Sequence, residues 1–380
     1  MGIVERILGR KQLTTSLNIE LDRLSRECEL LRERTSLLES ELKHSEELVR
    51  KMRVENTLAE SRLTESRTQL TQSMFEHGSI QLGPQPLDLN SLSRQIEKLE
   101  LELKLYKTWV PPGHSLSPIP DLEEVRRKEA LIYQVPRTMP GLDFREAQQL
   151  ELFDALLQYY PEQPFPEKKS PDRRFWFENP AYSYSDAILL YCMMRFLKPE
   201  NIIEVGSGFS SCAILDVNQI FFNDSISCTF IEPDPDLLRS LINETDDARI
   251  NIVDKNLQDT NLELFSKLSA NDILFIDSSH VSKIDSDVNF VFFKLLPSLK
   301  SGVYIHLHDI FYPFEYPLDW VYEGRAWNET YLLRAFLQYN NQFEVQLFNT
   351  YIDWFHKDMY FRKMPLVKKN TGGSIWLKKL

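Results

Sequence analysis

The sequence predicts an α/β protein, a doubly wound parallel sheet, preceded by a long α-helical coiled coil. Three observations carry that prediction: leucine heptads over the early chain, a dense run of prolines after them, and then a regular alternation of helices with short apolar strands. The chain of 380 residues is long enough for two ordinary domains, and 42% hydrophobic with 12% aromatic content excludes compositional disorder. The averages conceal a division. Residues 1–105 hold a single aromatic, Phe75, whereas residues 311–361 hold 17 of the 44, so only the later part can build a conventional core.

Charge divides the same way. The net charge of −12 argues against a dedicated nucleic-acid binder, which normally carries a basic excess. Residues 1–110 contribute 17 Lys+Arg against 18 Asp+Glu, leaving 27 against 38 for the rest, so the acidity belongs to the body and the arm is close to neutral. Cys28, Cys192, Cys212 and Cys228 form no CxxC and no dense pattern, which suits a reducing cytoplasm. No run approaches 18 apolar residues and the start MGIVERILGRKQ is too charged for a signal segment, so neither a membrane span nor secretion is expected.

In the arm, one frame from about Thr14 to Leu70 places Leu17, Leu24, Leu31, Leu38, Ser45, Met52, Ala59 and Ser66 at d, and Leu21, Cys28, Thr35, Leu42, Val49, Asn56, Leu63 and Leu70 at a. Twelve of these sixteen positions are apolar, over eight heptads. A lone helix would leave so narrow a stripe wet, so self-association as a parallel homodimer is expected. Glycines and prolines interrupt the arm near 76–88, and a second periodic stretch from Leu89 to Tyr106 follows. Residues 1–110 thus form an oligomerisation arm. Residues 111–180 hold 11 of the 20 prolines and read as a linker and helical cap, with one amphipathic helix from Leu142 to Tyr160. Residues 181–380 form the body.

Its predicted elements run in order: helix Ser185–Leu197, strand Ile202–Val205, helix Ser210–Val217, strand Ser227–Ile231, a helix from Pro235, strand Ile250–Val253, a helix near Leu262–Leu268, strand Ile273–Ile276, a helix near Asp287–Leu296 and strand Val303–Leu307. Such sheets bind ligands beyond the carboxyl ends of their strands. There the first strand gives Glu204, Gly206 and Gly208, and two of only 12 glycines in a strand-to-helix turn let backbone approach a ligand closely. Ser211 stands where a dinucleotide fingerprint has its third glycine, which counts against NAD. Glu232 ends the next strand, where a carboxylate can accept ribose hydroxyls. The fourth and fifth strands bring Asp277, His280, His308 and Asp309 to one rim. Carboxylates and imidazoles there can hold a divalent cation, Mg²⁺ or Mn²⁺ by its oxygens, with Mn, Fe or Zn favoured by an imidazole. An unligated histidine, with an ordinary pKa near about 6.5, can act as general base. His306, inside its strand, reads as a core residue, and His44, His77 and His114 as solvated ones.

EVGSGFSS at 204–211, FIEPDP at 230–235, DILFIDSSH at 272–280 and the segment from Leu296 to Pro317 together resemble the class I S-adenosylmethionine-dependent methyltransferases, especially methyltransferase family 24. The resemblance covers about residues 175–380. It implies a seven-stranded Rossmann-like sheet whose last strand is antiparallel, Glu204, Gly206 and Gly208 along the methionine moiety of the cofactor, Glu232 on the ribose, and Asn256 near adenine. The Asp-x-x-His at 277–280 and the His-Asp at 308–309 are also similar to metal-dependent O-methyltransferases acting on antibiotic sugars. That likeness implies Asp277, His308 and Asp309 as ligands of Mg or Mn, and His280 as base. The pattern departs at His308, where an acidic residue is expected, so a metal-free site with His280 working alone stays open. The activity so implied is methyl transfer to a hydroxyl of a saccharide, with Phe343–Phe348 and Ser374–Leu377 as final strands and aromatics such as Trp320, Tyr322, Trp327 and Tyr331 beside the acceptor, where Asp319, Glu323 and Arg325 could bond a polyol. An NAD-dependent oxidoreductase, an inactive assembly protein built on the coil, and an N-methyltransferase are the competing readings.

Overall fold

The computed structural model describes residues 109–380, so both periodic stretches of the arm lie outside the described residues. Two compact units divide what is described: residues 109–122 with 319–325, and residues 123–318 with 326–380. In the first, the Gly113 N–H donates to the Ile119 carbonyl at 3.0 Å, and Arg325 pairs with Glu323 at 3.1 Å. Asp319, Glu323 and Arg325 all belong to it.

Helices α1 (Leu122–Ile132), α2 (Glu146–Leu156) and α3 (Tyr184–Leu197) precede the sheet. Then follow β1 (Asn201–Val205), α4 (Phe209–Phe222), β2 (Ser227–Ile231), α5 (Asp236–Leu241), β3 (Asn251–Val253) and β4 (Ile273–Ile276). Helix α6 (Asp287–Phe290) runs on through a π turn, and β5 (Tyr304–His308), α7 (Glu329–Leu337), β6 (Phe343–Phe348), α8 (Asn349–Lys363) and β7 (Ser374–Lys379) complete the chain. The sheet has seven strands in the order β3-β2-β1-β4-β5-β7-β6, parallel from β3 to β5, with β7 antiparallel to both β5 and β6. The strand order reverses at β1, between β2 and β4, the crevice where doubly wound sheets take their ligands.

The central strands are apolar because helices cover both faces: every residue of β4 and β5 is buried, His306 and His308 included. His306 stacks on Phe275 with ring centroids 4.2 Å apart, as its place inside a strand predicts, and burial holds its imidazole neutral, well below the ordinary range. The thiols of Cys192, Cys212 and Cys228 are free and buried, with desolvation pushing each upward.

Three local readings of the sequence are corrected. Helix α2 is shorter than Leu142–Tyr160, and the proline-rich stretch around it packs onto the body, with Phe153, Phe165, Phe175 and Phe177 buried in the core. Prolines prevent long elements there without preventing burial of the aromatics between them. The segment at Leu262–Lys267 is a 3₁₀ helix. Helix α8 was absent from the predicted elements because its sequence, NTYIDWFHKDMYFRK, is aromatic on several sides and shows no single apolar stripe.

What fixes β7 is a buried carboxylate. Asp186, in the first turn of α3, accepts the Asn349 side-chain N–H at 2.8 Å, the Ser374 hydroxyl at 2.7 Å and the Gly373 N–H at 3.1 Å. It joins the starts of α3, α8 and β7. Replacing it by alanine strands three buried donors, so Asp186→Ala is expected to lower stability by about 3 kcal/mol, and Asp186→Asn by less. Urea denaturation with an unchanged midpoint for the alanine variant would show that the network carries no weight.

Candidate active site

The turn after β1 is shaped by contact with β4. Gly206 has φ +79, and a β-carbon there would lie 1.7 Å from the Asp277 carbonyl oxygen, so no other residue fits. The Gly206 N–H donates to the Ile231 carbonyl at 3.0 Å and the Asp277 N–H to the Val205 carbonyl at 2.9 Å, which draws the ends of β1, β2 and β4 together. A cavity of about 370 Å³ opens there, lined among others by Gly206, Glu232, Asn256, Asp277 and Asp287.

Glu232 is held before any ligand arrives: its carboxylate accepts the Ser207 N–H at 3.1 Å and the Asp234 N–H at 3.0 Å. Each oxygen keeps a further lone pair, so the side chain can still accept a pair of hydroxyls. Asn256 lines the same cavity and donates to Asp259 at 3.1 Å. A β-carbon at Gly208 would meet Leu237 at an ordinary 3.4 Å, and the Gly208 N–H donates to the Ser211 hydroxyl at 3.0 Å.

Glu204 lies below the cavity rather than in its wall. It is fully buried beneath the turn, accepting the Ser210 and Ser211 hydroxyls at 2.5 Å each, and it does not line the cavity. Its period-two position in β1 turns it inward, and the two serines of EVGSGFSS exist to receive it. Burial pushes its carboxyl up to about 8, against the two hydroxyl hydrogen bonds.

The ends of β4 and β5 assemble the acid-histidine rim. His280 Nε2 lies 3.2 Å from Asp277 Oδ1 and 3.6 Å from Asp309 Oδ2, and His308 Nε2 lies 3.4 Å from Asp309 Oδ1. Asp277, His308 and Asp309 each offer a ligand atom within 4.8 Å of the others. His308 Nδ1 is buried without a partner among the described residues. One imidazole and two carboxylates of this spacing fit a hard or borderline divalent cation. Four of the residues singled out from sequence therefore converge.

His280 differs from the expectation of an ordinary imidazole. Burial opposes its charge, but hydrogen bonds to Asp277 and Glu329 and the charges of Glu329 and Asp309 outweigh it, raising the group well above about 6.5. The charge of His308, then the hydrogen bond and charge of His280, lower Asp277 despite its burial, while desolvation lifts Asp309 to about 6. Trp327 covers the His280 ring, with centroids 4.4 Å apart. Glu329, buried at the start of α7, was not visible as a site residue: it lies 49 positions from His280. An acidic first helical residue is also an ordinary N-terminal signal, so the sequence carried no sign of its second role.

Residues 203–310 match a family described as a methyltransferase domain. An uncharacterised protein of Archaeoglobus fulgidus is 34% identical over 166 residues, covering 42% of this chain and 74% of that protein. Among solved structures, the chain is similar to the SAH-bound Podospora anserina methyltransferase PaMTH1, with 14% identity over 64% of this chain and 99% of that one, at a TM-score of 0.36. It is also similar to the O-methyltransferase TomG from Streptomyces achromogenes, involved in tomaymycin synthesis, in complex with SAM, with 14% identity over 68% and 95% of the two chains and a TM-score of 0.32.

Glu204 gives a pH prediction with a definite sign. Its folded-state pKa lies above the unfolded value of 4.5, so its contribution to stability is fully present below that value and is lost as pH rises toward about 8. The melting temperature is expected to fall from pH 5 to 8 with a component of at most about 1.4 kcal/mol per pH unit. Glu204→Gln should flatten that slope, and an unchanged slope in the variant removes Glu204 as its source.

Proposed function

We infer that this chain, which carries a methyltransferase domain and belongs to one family with the Archaeoglobus fulgidus protein, is an S-adenosylmethionine-dependent O-methyltransferase acting on a hydroxyl of a saccharide or similar acceptor. The observation that carries the reading is the placement of His280, Asp277 and Asp309 together at the rim, with Asp277 also lining the cavity at the strand-order reversal.

S-adenosylmethionine, when bound, supplies a methyl group activated by its sulfonium. Glu232 accepts the ribose hydroxyls from a position already fixed by two backbone N–H groups. Gly206 keeps the turn narrow enough for backbone to line the cavity, and Asn256 contributes an amide to its wall. Precise placement of donor and acceptor is the larger part of the catalytic effect in a direct displacement. His280 receives the acceptor's hydroxyl proton at Nε2, worth about 10²–10⁴ in rate for such bases. To do so it must first be relieved of the proton that Asp277, Glu329 and Asp309 together favour.

A divalent cation suits that need. Asp277, His308 and Asp309 would hold it, and its chemistry there is to orient the acceptor oxygens, stabilise the developing alkoxide and neutralise the two carboxylates. Self-association through the heptads of the arm, as a homodimer in the cytoplasm, completes the reading from the sequence. No helix among the described residues is long and apolar enough to cross a membrane.

Calorimetry on the full chain tests the cofactor: S-adenosylmethionine is expected to bind, Glu232→Ala to weaken it at least about tenfold through the lost charge-assisted hydrogen bonds, and NAD not to bind. Binding of NAD in place of S-adenosylmethionine reverses the assignment. For the cation, chelation is expected to cut methyl transfer to a polyol acceptor by about 10² or more, with recovery on adding Mn²⁺ or Mg²⁺; full activity after chelation rules the metal out.

A further inference from the structure

The loop that bears His280 is strapped to the start of α7 by backbone as well as side chain. The His280 carbonyl accepts the N–H groups of Asn328 and Glu329, both at 3.1 Å, and so satisfies donors left open at that helix end. Asn328 returns the contact, its side-chain oxygen accepting the Ser282 N–H at 2.6 Å. His280 itself sits at φ +58, a conformation a non-glycine residue holds only when its surroundings impose it.

Within this frame the His280 ring meets Glu329 at one nitrogen and the aspartates at the other. Nδ1 lies 2.8 Å from Glu329 Oε2, whereas Nε2 faces Asp277 and Asp309. Glu329 is 1% exposed, and its other oxygen has no partner among the described residues, so its hydrogen-bonding capacity is directed at this ring. A carboxylate accepts and cannot donate, and Glu329 at 2.8 Å approaches the ring more closely than Asp277 at 3.2 Å or Asp309 at 3.6 Å, which favours the proton of a neutral imidazole on Nδ1.

We propose that Glu329 is a positioning residue that sets the tautomer of His280, holding its proton at Nδ1 so that Nε2 is the nitrogen available at the rim. The proposal builds on the reading of His280 as general base. The Glu329 carboxylate steadies the positive ring that forms when Nε2 takes a proton, and Trp327 packed 4.4 Å away limits rotation of the ring. Glu329 acts through His280 and has no contact with the cavity that would hold the cofactor.

The test uses the full chain, uniformly ¹⁵N-labelled, with long-range ¹H–¹⁵N spectra of the histidine rings and His280 assigned through its disappearance in His280→Gln. At a pH alkaline enough to neutralise the ring, the wild-type signal is expected to show the proton on Nδ1. Glu329→Leu should move it to Nε2 and reduce kcat by about 10²–10³, with the Kd for S-adenosylmethionine unchanged. Glu329→Gln keeps an acceptor oxygen and should retain the tautomer and recover much of kcat. A wild-type ring protonated on Nε2, or a Glu329→Gln variant with the proton moved to Nε2, overturns the proposal. The spectrum requires no turnover, so if Glu329→Leu does not fold, the wild-type and glutamine spectra still decide. A chain with the expected tautomer and no methyl transfer to any hydroxyl acceptor would overturn the O-methyltransferase reading separately.

Discussion

Gly206 has no side chain, and the backbone of β4 occupies the space where one would be, with the Asp277 carbonyl oxygen 1.7 Å from the missing β-carbon. That close approach joins the exit of β1 to the exit of β4, and much of the site follows from it. The turn that opens the cavity and the residue that begins the acid-histidine rim become neighbours, so a ligand in one is presented to the other. A larger residue would have to part the two central strands, which are hydrogen-bonded through four paired positions.

Around this junction the chain buries charge and balances it locally. Asp277, Asp309 and Glu329 surround His280, and Asp309 lies beside His308, in a rim where burial would neutralise any one of them alone. The shifts record that compensation: Asp277 is held low and His280 high, each against its own desolvation. Networks of this kind are strongly cooperative, because a half-satisfied buried charge costs more than the pair returns. In the proposed reading a cation and a base would draw on the same carboxylates, which would tie the protonation of His280 to the occupancy of the ligand set.

Legibility in the sequence followed locality. β2 and β4 lie where short apolar runs bounded by turn residues place them, since a buried strand needs nothing beyond its own composition to be recognised. Asp277, His280, His308 and Asp309 could be paired in advance because strand ends in a doubly wound sheet share one rim. The partners of Glu204, the Ser210 and Ser211 hydroxyls, come from the same short motif, yet which face of β1 it occupies is settled only by their contact with it. Helix α8 escaped because its burial comes from distant partners, as where Tyr351 stacks on Phe144 across 207 positions.

By itself the sequence determined the alternation of strands and helices, the turn glycines and the residues able to carry acid-base or metal chemistry, all of which are written in neighbouring positions. Only the tertiary structure decided that Glu204 supports the turn from below, that Asp186 binds β7 to two helices, and that Glu329 faces the second nitrogen of His280. Those pairs lie between 6 and 188 residues apart, and their contacts arise from how helices settle on the finished sheet. A side chain's partner across such distances is set by packing, which no local pattern of residues records.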